Sequence, residues 1–491
     1  MSAPPTDPKL PPVVVGAGPA GVRAVQALVA HGLRPVWVDE APRGGGQIYR
    51  QPPPGFTRPA KALYGFEAGR AQALHATLAA LLPQVDHRPD TLVWHALPAA
   101  PGQPQAGTLS LLHGPAQQQH SLPFGQLLLA TGATDRVLPM PGWTLPGVFS
   151  LGGAQVALKS QACAIGQRVV FIGTGPLLYL VAWQYMKAGV QVVAVLDNAR
   201  LADQVAALPD LALQPVVLAK GAWFVAQLAA AGVPVHRGAR ALRLLPDEAC
   251  ERLQAVVWTD GVHEHTLACD GAALGHGLRS ETQLADLLGC AFEWQPLHRA
   301  WLPRRDETGR ASARGVYLAG DGAGILGADA AEWAGEQAAL AMLADRGIAV
   351  DAGRVRWLQA RLARSTRFRQ GLERAFPLPP DWAAQVPDET VICRCEHLTA
   401  GELRRVAQDT GAAELSRLKA LSRLGMGRCQ GRMCGAAAAE LLAQATHQPV
   451  QQVGRLRAQA PVKPIPLLAL PVSAAESGPA EAHTAAAGGQ A

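Results

Sequence analysis

One motif occurs twice, and it limits the fold more than any other feature of the chain. The β-branched run Val13–Val15 leads into GAGPAG (Gly16, Ala17, Gly18, Pro19, Ala20, Gly21), then VRAVQALVAHG, then a second apolar run, Val36–Val38, closed by Asp39 and Glu40. From Arg168 the order returns in RVVFIGTGPLLYLVAWQYMKAGVQVVAVLD, with Gly173 standing 157 residues after Gly16. Strand, glycine turn, helix and strand in this order open a βαβ unit, and two copies predict two dinucleotide-type domains. In the first copy each glycine has a task. Gly16 permits the tight turn, Gly18 lets a pyrophosphate reach the backbone, and Gly21 lets the helix pack close to the strand. The helix N-terminus offers free N–H groups and a partial positive charge, and Asp39 is expected to accept from ribose hydroxyls.

Three more segments indicate which dinucleotide binds. RGGGQIYR (43–50, containing Gln47) places another glycine turn where the pyrophosphate passes. Ala130–Gly132 (with Thr131) and AGD ending on Asp321 each terminate an apolar strand. This set resembles the glutathione-reductase-like flavoproteins over roughly residues 10–350. The resemblance implies FAD at the first loop, with Asp321 hydrogen-bonding the ribityl chain; Asp321 also suits an N-cap of the following helix. In the second copy Gly173 and Gly175 are kept, but Leu178 replaces the third small residue and would push helix from strand. NAD(P) or another adenine nucleotide, with Asp197 at its ribose, is therefore set evenly against a domain kept for architecture. No cysteine pair lies near either loop, which speaks against disulfide reduction.

Eight cysteines fall into two groups. Cys163, Cys250, Cys269 and Cys290 are scattered and are expected to be small core residues. Cys393, Cys395, Cys429 and Cys434 form C-x-C and C-x4-C, in VICRCEHLT and GMGRCQGRMCG. Zinc knuckles favour C-x2-C; this spacing fits a [2Fe–2S] rhomb held by two loops better, and zinc stays as the alternative. Gly425, Gly427, Gly431 and Gly435 offer N–H groups to sulfur. A capping box, Thr399 and Glu402, opens a helix after the first loop, and AAAAELLAQA follows the second. The segment resembles the bacterioferritin-associated-ferredoxin-like [2Fe–2S] domain. Residues 361–435 hold 13 basic and 8 acidic side chains, +5 of the chain's net +6, and Arg394, Arg428 and Arg432 adjoin the ligands, where they would offset an anionic cluster.

The expected architecture is α/β. An FAD-binding domain (1–155 and 286–375) encloses a second Rossmann-like domain (156–285). A proline-rich linker (376–390) leads to a small helical [2Fe–2S] domain (391–447) and a tail (448–491) whose end is low-complexity. His276 and Arg279, in GHGLRSE, are candidates for binding an anion or for a plain strand-end loop. A net charge of +6 without interleaved aromatics predicts no nucleic-acid partner. No secretory pattern and no run of about 18 apolar residues is seen, so a cytoplasmic chain is expected, with peripheral docking at the inner membrane left open.

In its full order the chain resembles the FAD- and [2Fe–2S]-containing subunits of opine oxidase, hydrogen cyanide synthase and D-hydroxyproline dehydrogenase, to about residue 465. That resemblance implies a smaller FAD-containing partner similar to amino-acid oxidases, a small ferredoxin-like third subunit in some assemblies, and electrons passed from an amine or imino acid to a respiratory acceptor. The competing expectation is a self-sufficient NAD(P)H-dependent reductase, and a cluster-based sensor or assembly protein is a third.

Overall fold

The computed structural model describes residues 9–467 except Thr57 and Ala116. The low-complexity end of the chain and the start of the region searched for a secretory pattern lie outside the described residues. Val13–Val15 is the centre of a five-stranded parallel sheet, in the order Val316–Leu318, Leu127–Leu129, Val13–Val15, Val36–Val38, Asp86–Arg88. The three inner strands and the edge strand Val316–Leu318 are buried along their length, as continuous apolar runs in a doubly covered parallel sheet require. The polar DHR strand takes the opposite edge.

One face is covered by the helix Pro19–Ala30, which crosses Ala328–Asp345. The crossing is close because its residues are small: a Cβ on Gly335 would fall 2.0 Å from the Ala20 carbonyl oxygen. The other side carries a three-stranded antiparallel sheet, Thr91–Pro98, Gly107–His113 and Gln118–Phe124.

The second parallel sheet runs Val235–Arg237, Gln191–Asp197, Arg168–Thr174, Gly271–His276, Val148–Ser150. Its domain is entered and left through an antiparallel pair, Ala133–Asp135 with Leu278–Ser280. A long helix, Ala352–Ala375, then leads to the C-terminal unit, which holds the small pair Val391–Cys393 and Leu398–Thr399 and the helices Ala400–Thr410, Leu415–Ser422 and Gly435–Ala445. No helix among the described residues is long and apolar enough to cross a membrane.

Two segments differ from expectation. Residues 376–390 are docked rather than free: Trp382 donates its indole N–H to the Pro139 carbonyl at 2.9 Å, and Val386 is buried in the C-terminal core. Three apolar side chains among the prolines (Trp382, Ala383, Val386) account for it. Residues 448–467, expected as tail, form a strap across the body. Arg455 and Arg457 pair with Asp286, the Val462 N–H donates to the Trp94 carbonyl, and Lys463 pairs with Glu40. The strap has no regular element, so no periodicity announces it. Of the scattered cysteines Cys269 and Cys290 are buried as expected. Cys163 and Cys250 are exposed, because each lies in a polar loop rather than in an element.

Candidate functional site

At the first glycine loop the close approaches are geometric. A Cβ on Gly21 would lie 1.8 Å from the Gly16 carbonyl oxygen, and that oxygen accepts from the buried Trp37 indole at 3.1 Å. The helix starts at Pro19 with no side-chain cap, leaving its first N–H groups for a ligand. Gly18 faces the second glycine turn, where a Cβ on Gly46 would stand 2.9 Å from the Gly18 Cα. Two bare backbones thus form a slot suited to a pyrophosphate, and Gln47 follows on the surface, accepting from Arg50 at 2.7 Å.

Asp39 stands at the strand end with one oxygen on the Ala17 N–H and the other on the Ala41 N–H. Burial holds its carboxyl above the usual range, opposed by those two donors. Glu40 points outward to Lys463. Asp321 is half-buried and accepts from the Leu326 and Gly327 N–H groups at 3.0 and 3.2 Å. It is not the expected N-cap: the helix Ala328–Asp345 is capped by Gly327 without a side chain, because six residues of turn separate Asp321 from the helix and its carboxylate is used to hold that turn. The Thr131 hydroxyl lies beside Gly322, and Gly132 opens onto free space.

The second loop is closed by its own side chains. Asp197 repeats the Asp39 arrangement on one oxygen, accepting from the Ala199 N–H at 3.0 Å. Its other oxygen is taken by the Tyr179 hydroxyl at 2.5 Å, and the residue is 0% exposed. The expected ribose acceptor is therefore spent inside the domain. Leu178 is fully buried in the core between helix and sheet, and Gly173 backs onto Gly275 of the next strand. Gly175 alone keeps open space in front of it, at a helix start without a side-chain cap.

The four C-terminal cysteines come together. Cys434 touches both Cys393 and Cys429, and Cys429 touches Cys395. Hydrogen bonding from Cys434 draws the Cys393 thiol down to about 6, and the same neighbour lowers Cys429. Backbone N–H groups of Gly425, Cys395 and Glu396 serve Cys393, and those of Met433 and Gly431 serve Cys429. Gly427 and Gly435 act by size instead, against Cys395 and against Leu456 and Arg279. The contacts are pairwise, and among the described residues no three His, Cys, Asp or Glu side chains converge on one metal ion. Such a donor set, rich in N–H groups to sulfur, suits a two-iron cluster better than zinc. The capping box forms, with Thr399 Oγ1 on the Glu402 N–H and Glu402 back on the Thr399 N–H. Arg432 turns inward, whereas Arg394 and Arg428 are exposed.

One segment joins the two sites. The Thr131 hydroxyl donates to the Glu281 carbonyl at 2.7 Å, and the Glu281 N–H donates back to Gly132 at 2.9 Å. Two residues earlier, the buried Arg279 guanidinium donates to the Gly431 and Arg432 carbonyls at 3.2 and 3.0 Å. The Glu281 carboxylate pairs with Arg432 at 2.5 Å, and Gln283 donates to the Gln430 carbonyl at 2.7 Å. Arg279 therefore holds a cysteine loop rather than a free anion. His276 is buried on the neighbouring strand, its ring held neutral. Glu281 and Gln283 carry no local signal, since their role comes from a contact about 150 residues away.

Comparison with known proteins agrees with this geometry. Residues 11–340 match the pyridine nucleotide-disulphide oxidoreductase family and residues 391–444 the BFD-like [2Fe-2S] binding domain. The chain is 36% identical to an opine oxidase subunit of Agrobacterium tumefaciens, over 93% of this chain and 90% of that one. It is 32% identical to the hydrogen cyanide synthase subunit HcnB of Pseudomonas protegens, over 94% and 98%. Among solved structures, L-proline dehydrogenase from P. horikoshii has the same fold, with a TM-score of 0.69 at 18% identity over 94% of this chain and 79% of that one. FAD and a [2Fe–2S] cluster are accordingly the cofactors, and the chemistry is that of an FAD-dependent oxidoreductase. With both halves matched in order and nearly end to end, the chain belongs to the pyridine nucleotide-disulphide oxidoreductase family, in the group that includes this opine oxidase subunit and HcnB.

Proposed function

We propose that this chain is the electron-transferring subunit of a multi-subunit amine or imino-acid dehydrogenase. It receives electrons from a smaller flavoprotein partner that carries the substrate site, and delivers them through its cluster toward a respiratory acceptor. The observation that carries this reading is the Leu278–Gln283 segment, which touches the Thr131–Gly132 loop at one point and the cysteine loop at the next. FAD would be held by Gly16, Gly18, Gly21, Asp39, Thr131, Gly132 and Asp321, and the cluster by Cys393, Cys395, Cys429 and Cys434. Bound FAD accepts electrons in pairs and the cluster releases them singly. The chain's own contribution is to hold both sites against one short segment and to keep water from the buried side of the cysteines.

The competing reading, a self-sufficient NAD(P)H reductase, is disfavoured by the Tyr179–Asp197 hydrogen bond. Anaerobic titration of the purified holo-chain with NADH, followed by flavin absorbance and by EPR of the cluster, separates the two. The expected result is no reduction within minutes by NADH, and reduction of both centres once the partner flavoprotein and an amino-acid donor are added. Reduction of both centres by NADH within seconds would instead make this chain a reductase in its own right.

A further inference from the structure

The cysteine site has two unlike sides. Cys393 and Cys434 are each 1% exposed in the core of the C-terminal unit, and Arg279 of the body closes on the loop that carries Cys434. Cys395 is exposed, on an edge made by two loops so close that a Cβ on Gly427 would lie 2.2 Å from the Cys395 Cβ. Arg394 and Arg428, next to Cys395 and Cys429, are both exposed and make no ion pair with any described residue. Near the cysteine loops Arg423 is partnered by Glu396 and Arg432 by Glu281, and Arg404 pairs with Asp388; Arg405 and Arg417, on the helices away from the loops, make no ion pair with a described residue either, so what marks Arg394 and Arg428 is their place beside the ligands. Arg394 also lines a cavity of about 260 Å³ that runs to the edge strand of the second sheet, floored by Trp143, Leu145, Leu274 and Met433. At its rim Phe149 is 41% exposed, on the outermost strand of that sheet. Unpaired cations around an exposed redox ligand, beside an apolar cleft, are the features of a transient docking face rather than of a closed interior.

We propose that this edge is the docking face for a small acidic one-electron carrier protein, whose carboxylates meet Arg394 and Arg428 while an apolar side chain enters the cleft beside Phe149. The inference rests on the electron-relay reading above and names where the relay ends. Each encounter moves one electron from the reduced cluster to one oxidised carrier. One two-electron oxidation of substrate is therefore cleared by two encounters, with two carriers reduced and two protons released to solvent.

The test uses the holo-chain with its flavin and cluster, reduced anaerobically by light, and two oxidants of opposite charge: an acidic blue-copper protein and a basic cytochrome c. Stopped-flow rates and titration calorimetry are recorded from about 20 to about 300 mM salt. The expected result is binding of the acidic protein, a rate falling about tenfold over that salt range, and a further loss of about tenfold at low salt in Arg394→Glu/Arg428→Glu. Cytochrome c should gain from the same substitutions, the EPR spectrum of the cluster should stay unchanged, and any fall in its midpoint potential should be too small to account for the loss, since both side chains are exposed and screened. A salt-independent rate, an unaltered rate in the double variant, or a potential shift that accounts for the loss would each overturn the proposal. If the double variant does not retain its cluster, the salt dependence of the unmodified chain and the rate of Phe149→Asp decide, with a loss expected in each. A cluster that is reduced by the flavin but ignores both charge and Phe149 would sink the docking face alone. A cluster that never receives flavin electrons would sink the relay.

Discussion

Asp39 and Asp197 show how one side chain decides what a glycine loop can still do. Both end the second strand of a βαβ unit, and both accept from the N–H two residues on. In the first unit the remaining oxygen accepts from the loop itself, whereas in the second the Tyr179 hydroxyl takes it and seals the carboxylate from solvent. His276 carries a comparable consequence that can be measured. Burial, reinforced by the Arg136 charge, pushes its imidazole down to about 4, so it is neutral at pH 7. A base whose folded value lies below its unfolded one adds stability that is present above the unfolded value and lost as pH falls toward the folded one. Here that window runs from about pH 6.5 to about 4, and the loss should reach about 3 kcal/mol. His276→Gln should flatten it. Thermal midpoints of both proteins taken across this range would settle the matter, and parallel curves would refute the assignment.

At the level of elements, a short strand and an irregular strap do the joining. Arg279 lies on the strand paired with Ala133–Asp135, and its charge is buried against the Cys429–Cys434 loop. At an effective dielectric of about 20, two unit charges on the order of 7 Å apart interact by about 2 kcal/mol, which sets the scale for a cation lying against a cluster-bearing loop. Reduction adds negative charge, so removing the cation by Arg279→Gln should lower the midpoint potential by on the order of 100 mV. Redox-titrated EPR reads this directly, and an unchanged potential would show that Arg279 only braces the loop. The strap depends on Asp286, whose carboxylate, 3% exposed, accepts from Arg455, Arg457 and the Ala458 N–H. Asp286→Asn should cost about 2 kcal/mol, below the value for a fully buried pair because both guanidinium groups still meet water. Trypsin should then cleave after Arg455 or Arg457 well before the body is attacked; equal cleavage in both proteins would mean the strap is held elsewhere.

For the whole molecule, what the sequence made legible was what repeats or what sits at fixed spacing. Both βαβ units, the four cysteines and the capping box at Thr399 could be read, because each is set by neighbours within about 40 residues. The contacts that turn these parts into one device could not. Trp143 donates to the Val391 carbonyl at 2.6 Å, Trp382 to Pro139, Gln283 to Gln430 and Arg299 to Glu440, and every one spans more than 140 positions. They leave no periodic trace, which is also why residues 376–390 read simply as a linker and 448–467 as tail. Taken together they clamp the cysteine unit on the body from three directions: the docked linker, the Leu278–Gln283 segment and the strap. A unit held this way has no need to swing for electrons to pass from flavin to cluster. Transfer between the two after flash reduction of the flavin should therefore be unaffected by glycerol that raises solvent viscosity about fivefold, since motions of whole domains on the μs–ms scale are what solvent drag slows. A rate that falls in proportion to viscosity would mean that the clamp opens during turnover, and that the arrangement seen here is only one of two working positions.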